Sequence, residues 1–181
     1  MNMIWVVEPH ADDAFLSVHT HIKEWIRVGE RVGILTVYST PARDAEGAAY
    51  AKLVGAQYLS LTVTEQSHLG LPPASIPLFS TWPIPNDDNT FVFPLGLQHP
   101  DHIQTRSQAP DGSWFYLDLP GQAKLKIGEQ LLRKVRGRRI VSIRYASKRK
   151  WVAAKLFKTQ SKFFYYNPPE SLSRIPEIIV R

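Results

Sequence analysis

The chain opens on an unbroken apolar run, MIWVVE over residues 3–8, rich in β-branched and aromatic side chains. Such a run predicts a strand buried on both faces, as in a parallel sheet. The period then changes. Over 12–30 the apolar residues Phe15, Val18, Ile22, Trp25 and Ile26 recur at intervals of three and four, which predicts a helix closed by Gly29. RVGILTVYST (31–40) predicts a second buried strand, ARDAEGAAYAKLVG (42–55) an Ala-rich helix ended by Gly55, and AQYLSLTV (56–63) a third strand. Strand and helix alternate as in an open parallel α/β sheet with right-handed crossovers.

The regularity breaks in 70–91, which holds five prolines and no clear period. That stretch predicts either a long functional loop or an insertion packed by its own aromatics. TFVFPLGL (90–97) reads as a strand that delivers the chain to QHPDH, and SWFYLDL (113–119) as another. Helices are predicted over 122–137 and 147–164, a strand over RRIVSIRY (138–145), and an edge strand over EIIVR (177–181). No repeat, low-complexity tract or linker interrupts the chain, so 1–181 is expected to form one domain. The expected fold class is α/β, a Rossmann-like open, mostly parallel sheet flanked by helices in three layers (α/β/α).

Composition narrows the chemistry. The 181 residues suffice for one sizeable core. No apolar stretch approaches the ~20 residues of a membrane span, and the N-terminus turns acidic too soon for a signal peptide. Cysteine is absent, which excludes disulfides and thiolate metal ligands. The default expectation for location is cytoplasmic. The net charge of +6 is uneven: residues 130–169 carry twelve Lys or Arg and no acid. Such a stretch faces a polyanion or, more ordinarily, forms a solvated surface that pairs with acids elsewhere.

Two motifs fall where an open α/β sheet binds ligands, beyond the carboxyl ends of its strands. His10, Asp12 and Asp13 follow the first strand, and HPDH (99–102) follows the strand of 91–97. His10 and Asp13 are three apart on a turn entering a helix, so both can point at one spot. Asp12 can approach that spot without being a ligand. HPDH offers His99 and His102 as candidates for a third ligand. Two His and one carboxylate with an open position make a catalytic zinc set, and a metal so held lowers the pKa of water to about 7. The plain alternative for Asp12 is a helix N-cap.

These motifs resemble the PIG-L, or LmbE-like, family of zinc-dependent N-deacetylases. PHADD stands where that family has PHPDD, and HPDH is unaltered. ARDAEGAAYAKLVG matches its Arg and Glu in an Ala-rich helix, at Arg43 and Glu46, and KWVAAKLFKTQ is similar to its C-terminal motif, with Thr159 where Ser is usual. The resemblance implies zinc on His10, Asp13 and His102, Asp12 as general base, and His99, oriented by Asp101, as a cation near the oxyanion. It implies substrate contacts from Arg43 and a carbonyl-polarising role for Tyr116, whose alternative is a core tyrosine. A carboxylate beside His99 is expected to raise its pKa.

The implied activity is removal of an N-acetyl or N-acyl group from an amino sugar or its conjugate, a small-molecule substrate. Two other readings stand beside it: the same chemistry on a phosphorylated or nucleic-acid-linked amine, and a non-catalytic binding protein. A homo-oligomer is compatible with all three. Departures from the family pattern are Ala11 for Pro, Ala14 for Glu, and His19 and Thr20 for two glycines. The last two are expected to reshape the pocket, with His19 read as a core or surface residue rather than a ligand.

Overall fold

The computed structural model describes residues 2–65, 71–72, 74–84, 88–97, 99–118, 137–145, 148–160 and 176–181. A seven-stranded mixed sheet is flanked by helices. In chain order the elements are β1 (Ile4–Glu8), α1 (Asp13–Arg27), β2 (Val32–Tyr38), α2 (Pro41–Val54), β3 (Gln57–Val63), β4 (Thr90–Pro94), α3 (Pro100–Ser107), β5 (Trp114–Tyr116), β6 (Ile140–Tyr145) and β7 (Pro176–Val180). The strand order is β3-β2-β1-β4-β5-β7-β6. Strands β3 to β5 run parallel, whereas β7 pairs antiparallel with both β5 and β6.

Alternation along each strand divides the core in two. Val6, Ile34, Val92 and Ile179 face α1, α2 and the segment bearing Ala153 and Phe157. Trp5, Val7, Leu35 and Phe93 face the other way, onto Trp82, Ile84 and Leu97. Phe79 and Trp82 stack edge-to-face and pack on Phe91 and Phe93. The described part of the Pro-rich stretch is therefore an insertion packed by its own aromatics, with one 3-10 turn at Phe79–Thr81.

Three expectations need correction. EIIVR is not an edge strand: β7 lies between β5 and β6, and Glu177 and Ile179 are fully buried. The edge is β6. Where 147–164 predicts an α-helix, the described residues wind as 3-10 turns, Lys148–Leu156 and Lys158–Gln160. Fixed anchors set that tighter path: Lys150 reaches Leu16 and Glu177, Phe157 stacks on Phe15, and Thr159 binds Glu46. The helix predicted over 122–137 lies outside the described residues, apart from Gly137.

The third correction concerns α1, which is not regular. Val18 leaves helical geometry (φ −141°, ψ 16°). The regular link there would run from the Thr20 N–H to the Leu16 carbonyl. Instead Thr20 N–H donates to Glu177 Oε2 at 2.7 Å, and Leu16 O accepts from Lys150 Nζ at 2.7 Å. The two side chains pair with each other at 2.7 Å. An ion pair has thus been inserted into the hydrogen-bond ladder of α1, which accounts for the kink.

Candidate metal centre

The chain leaves β1, lays down β2 and β3 on one side, and returns with β4 on the other. The switch point between β1 and β4 opens a crevice at their carboxyl ends. His10, Asp12 and Asp13 follow β1, and His99, Asp101 and His102 follow β4, so one crevice receives both motifs. Local folding turns each motif inward. Asp13 Oδ2 accepts the His10 backbone N–H at 2.9 Å, closing the turn. Gly96 adopts φ +69°, and a Cβ there would press on the His102 carbonyl at 3.2 Å. Only glycine lets the loop run this close to α3.

Ligand atoms of His10, Asp13 and His102 lie within 4.8 Å of one another, all on buried side chains. Asp13 Oδ2 is central, 3.3 Å from His10 Nδ1 and 3.3 Å from His102 Nε2. Two imidazoles around one carboxylate oxygen suit a divalent ion of the zinc class. With protons in place of a metal, burial opposes ionisation of Asp13, but His102 and His10 outweigh it and hold the carboxyl far below its usual range. Burial likewise works against the His10 cation, yet Asp101 and Asp13 raise His10 to about 9.

Asp12 stands apart from that set. It occupies the N-cap position of α1 but makes no side-chain capping bond. Glu8, fully buried at the end of β1, takes that work: its carboxylate accepts from the Ala14 N–H at 2.8 Å and the Thr36 hydroxyl at 2.6 Å. The capping explanation for Asp12 therefore fails. Burial, and then the neighbouring Asp13, push Asp12 up to about 6.

HPDH is arranged differently from expectation. Asp101 turns its carboxylate to His10 Nε2, at 2.9 Å, and lies 3.8 Å from His99 Nδ1. His99 instead caps α3, its Nδ1 accepting the Asp101 backbone N–H at 3.3 Å. The side chain of His99 is 43% exposed. Burial, with His10 and His102 nearby, lowers its pKa, against the rise expected from Asp101. The attraction of Asp101 is spent on His10, and two neighbouring rings compete with what remains.

Arg43 points toward the crevice from α2 and donates to Glu65 at 2.6 Å; Glu65 lies 3.8 Å from His10 Nε2. Tyr116 is fully buried and donates its hydroxyl to the Val7 carbonyl at 3.1 Å. It stands in the core, so a substrate contact is not proposed for it. His19 is also a core residue, bonded to the Tyr50 hydroxyl at 2.9 Å. Three acids escaped the sequence reading: Glu8, Glu65 and Asp118. Each lies at or just past the carboxyl end of a parallel strand, the position that could have revealed them.

No protein-family model matches the chain, and no curated protein matches it. Solved structures do. A deacetylase of the A40926 pseudoaglycone matches at TM-score 0.61 and 19% identity, over 93% of this chain and 86% of that one. The zinc-inhibited form of a teicoplanin deacetylase matches at TM-score 0.62 and 16% identity, over 94% and 88%. A 4-carboxy-2-hydroxymuconate hydratase from Pseudomonas putida matches at TM-score 0.57 and 13% identity, over 92% and 82%. At these identities the likeness is one of fold: the chain has the three-layer α/β/α fold of these enzymes.

Proposed function

We propose that residues 1–181 form one metal-dependent N-deacetylase domain of the PIG-L/LmbE-like type, which hydrolyses the acetamide of an amino sugar or sugar conjugate. The observation that carries this reading is the buried His10, Asp13 and His102 cluster beside Asp12, whose side chain makes no capping bond, in the fold of a pseudoaglycone deacetylase and a teicoplanin deacetylase. Zinc is the metal proposed. When bound it would supply Lewis-acid polarisation of water and of the amide carbonyl. Everything else falls to the chain. Asp12, at about 6, accepts a proton from the attacking water near neutral pH and can return it. The half-exposed His99 is placed to hydrogen-bond the developing oxyanion or the leaving nitrogen through Nε2, since Nδ1 is engaged. Arg43 orients the substrate.

The test combines zinc content with acetate release from N-acetylglucosamine conjugates. About one zinc per chain is expected, with turnover measured at a single equivalent because one neighbour is described as zinc-inhibited. Asp12→Asn should lower turnover by about 10²–10⁴-fold. Unchanged turnover would refute the base assignment, and zinc retained by His102→Ala would refute the ligand set. The hydratase neighbour supplies a second reading, addition of water to a carbon–carbon double bond. Consumption of an unsaturated hydroxy-tricarboxylate, with no acetate released from any N-acetyl compound, would favour it.

A further inference from the structure

The deacetylase reading leaves Asp118 without a role, yet its carboxylate is engaged by three backbone N–H groups and by His102. It follows β5 by two residues and is buried at the same sheet edge as the metal-ligand cluster. Its carboxylate is itself immobilised. Oδ1 accepts the Leu95 N–H at 2.8 Å, and Oδ2 accepts the N–H groups of Gly96 and Leu97, each at 3.0 Å. Three successive N–H groups form a nest that fixes an anion in place. Against this fixed oxygen lies His102 Nδ1, 3.2 Å from Asp118 Oδ2. The contact is an ion-pair approach without the alignment of a full hydrogen bond, and Nδ1 has no hydrogen-bond partner among the described residues.

We propose that Asp118 is the positioning residue of the metal centre: it holds the Nδ1–H of His102 and so presents the Nε2 lone pair to the cluster of His10 and Asp13. The argument follows from imidazole chemistry. A neutral ring carries one N–H and one lone pair. An ionised carboxylate only accepts, so the nitrogen it faces is the one that keeps the proton. Nε2 is then the ligand atom, and it already stands 3.3 Å from Asp13 Oδ2. Asp118 also clamps the loop of 95–97, which leads through Gly96 into α3 and sets where His102 starts. One carboxylate therefore registers both the backbone and the ring. Across the cluster the arrangement repeats, with Asp101 on His10 Nε2 and Asp13 near His10 Nδ1.

This assignment rests on the metal reading, and the experiment separates the two. Zinc affinity is measured for the wild type, Asp118→Asn, Asp118→Ala and His102→Ala by competition with a chromophoric chelator. Thermal unfolding of the metal-free forms controls for folding. Asp118→Ala is expected to bind zinc about 10–100-fold more weakly, and Asp118→Asn, which keeps an acceptor toward the loop, to lose less. Nitrogen NMR of the zinc-loaded wild type should show His102 protonated at Nδ1 and coordinating through Nε2, a result no purely structural role requires. Equal zinc affinity in a folded Asp118→Ala overturns the proposal, as does coordination through Nδ1. The NMR needs only the wild type, so it decides the question even if both variants fail to fold. A wild type that takes up no zinc overturns the metal reading and this assignment with it. A wild type that binds zinc no better than its Asp118 variants overturns this assignment alone.

Discussion

Replacing Lys150 by Met tests the most unusual piece of packing in the molecule. The Lys150 ammonium and the Glu177 carboxylate lie 2.7 Å apart with side chains 1% and 0% exposed. At an effective dielectric of about 20, unit charges at that distance attract by roughly 6 kcal/mol. Desolvation consumes much of this, as the direction for Lys150 shows: burial lowers its pKa despite the partner. For Glu177 burial is outweighed by Lys150, and the carboxyl is held at about 2. Removing Lys150 takes the buried counter-ion from Glu177, which keeps the Thr20 N–H and hydroxyl and His21 beside it; breaking a buried pair typically costs about 3–5 kcal/mol. The Leu16 carbonyl loses its donor at the same time. A chain of this size shifts in Tm by about 2–4 °C per kcal/mol, so Lys150→Met should melt roughly 6–20 °C lower. The double variant Lys150→Met with Glu177→Leu removes both charges, and it frees the Thr20 N–H and Leu16 carbonyl to meet and close the ladder of α1. It should therefore be more stable than the single variant by about 2 kcal/mol or more. Urea unfolding followed by circular dichroism measures both. A Lys150→Met variant within about 1 kcal/mol of wild type, or a double variant no more stable than Lys150→Met, would refute the reasoning.

Three further measurements bear on other parts of the fold. His19 is held down at about 4 by burial, with the Lys150 cation adding to the effect. The unfolded chain binds its proton near 6.5 and the folded chain does not, so stability present above 6.5 is lost as pH falls toward 4, by about 3 kcal/mol. His19→Gln should flatten that part of the stability profile relative to wild type; parallel profiles would contradict it. Gly96→Ala should cost more than about 1 kcal/mol and weaken zinc uptake, because its φ is +69° and its Cβ would meet His102 O and Arg106 Cδ. Gly112→Ala, with φ +83° and nothing within 4 Å, isolates strain from contact and should leave zinc uptake unchanged. Glu8→Ala should destabilise α1 by about 1–3 kcal/mol through the stranded Ala14 N–H and Thr36 hydroxyl, whereas Asp12→Ala should cost little stability, because the Asp12 side chain makes no capping bond; thermal unfolding of the two variants compares them.

Local signals were enough to order β1 to β3 and the two helices between them: apolar runs for the strands, a three-and-four repeat for α1, and Ala content with a closing Gly55 for α2. The topological rule that ligand sites in open α/β sheets lie past the strand ends placed both motifs of the candidate site at one sheet edge. Elements whose geometry is imposed by distant partners were not legible. Nothing local in KRKWVAAKL calls for 3-10 winding; Glu177, Leu16 and Phe15 impose it from far along the chain. EIIVR looks like an edge strand until β6 is found to pair outside it.

The site divides in the same way. The amino-acid sequence was enough to single out the candidate residues: His10, Asp12, Asp13, His99, Asp101 and His102 sit in two motifs that each follow a strand. Tertiary structure alone decided how those residues share their partners. Asp101 serves His10 rather than His99, because the crevice brings His10 Nε2 closer. Glu8, not Asp12, caps α1. Asp118, one acid among sixteen in the chain, gains its meaning only where β5 ends beside the loop before HPDH. A motif fixes which groups are near in sequence, but a proton or a lone pair is assigned by the nearest group in space.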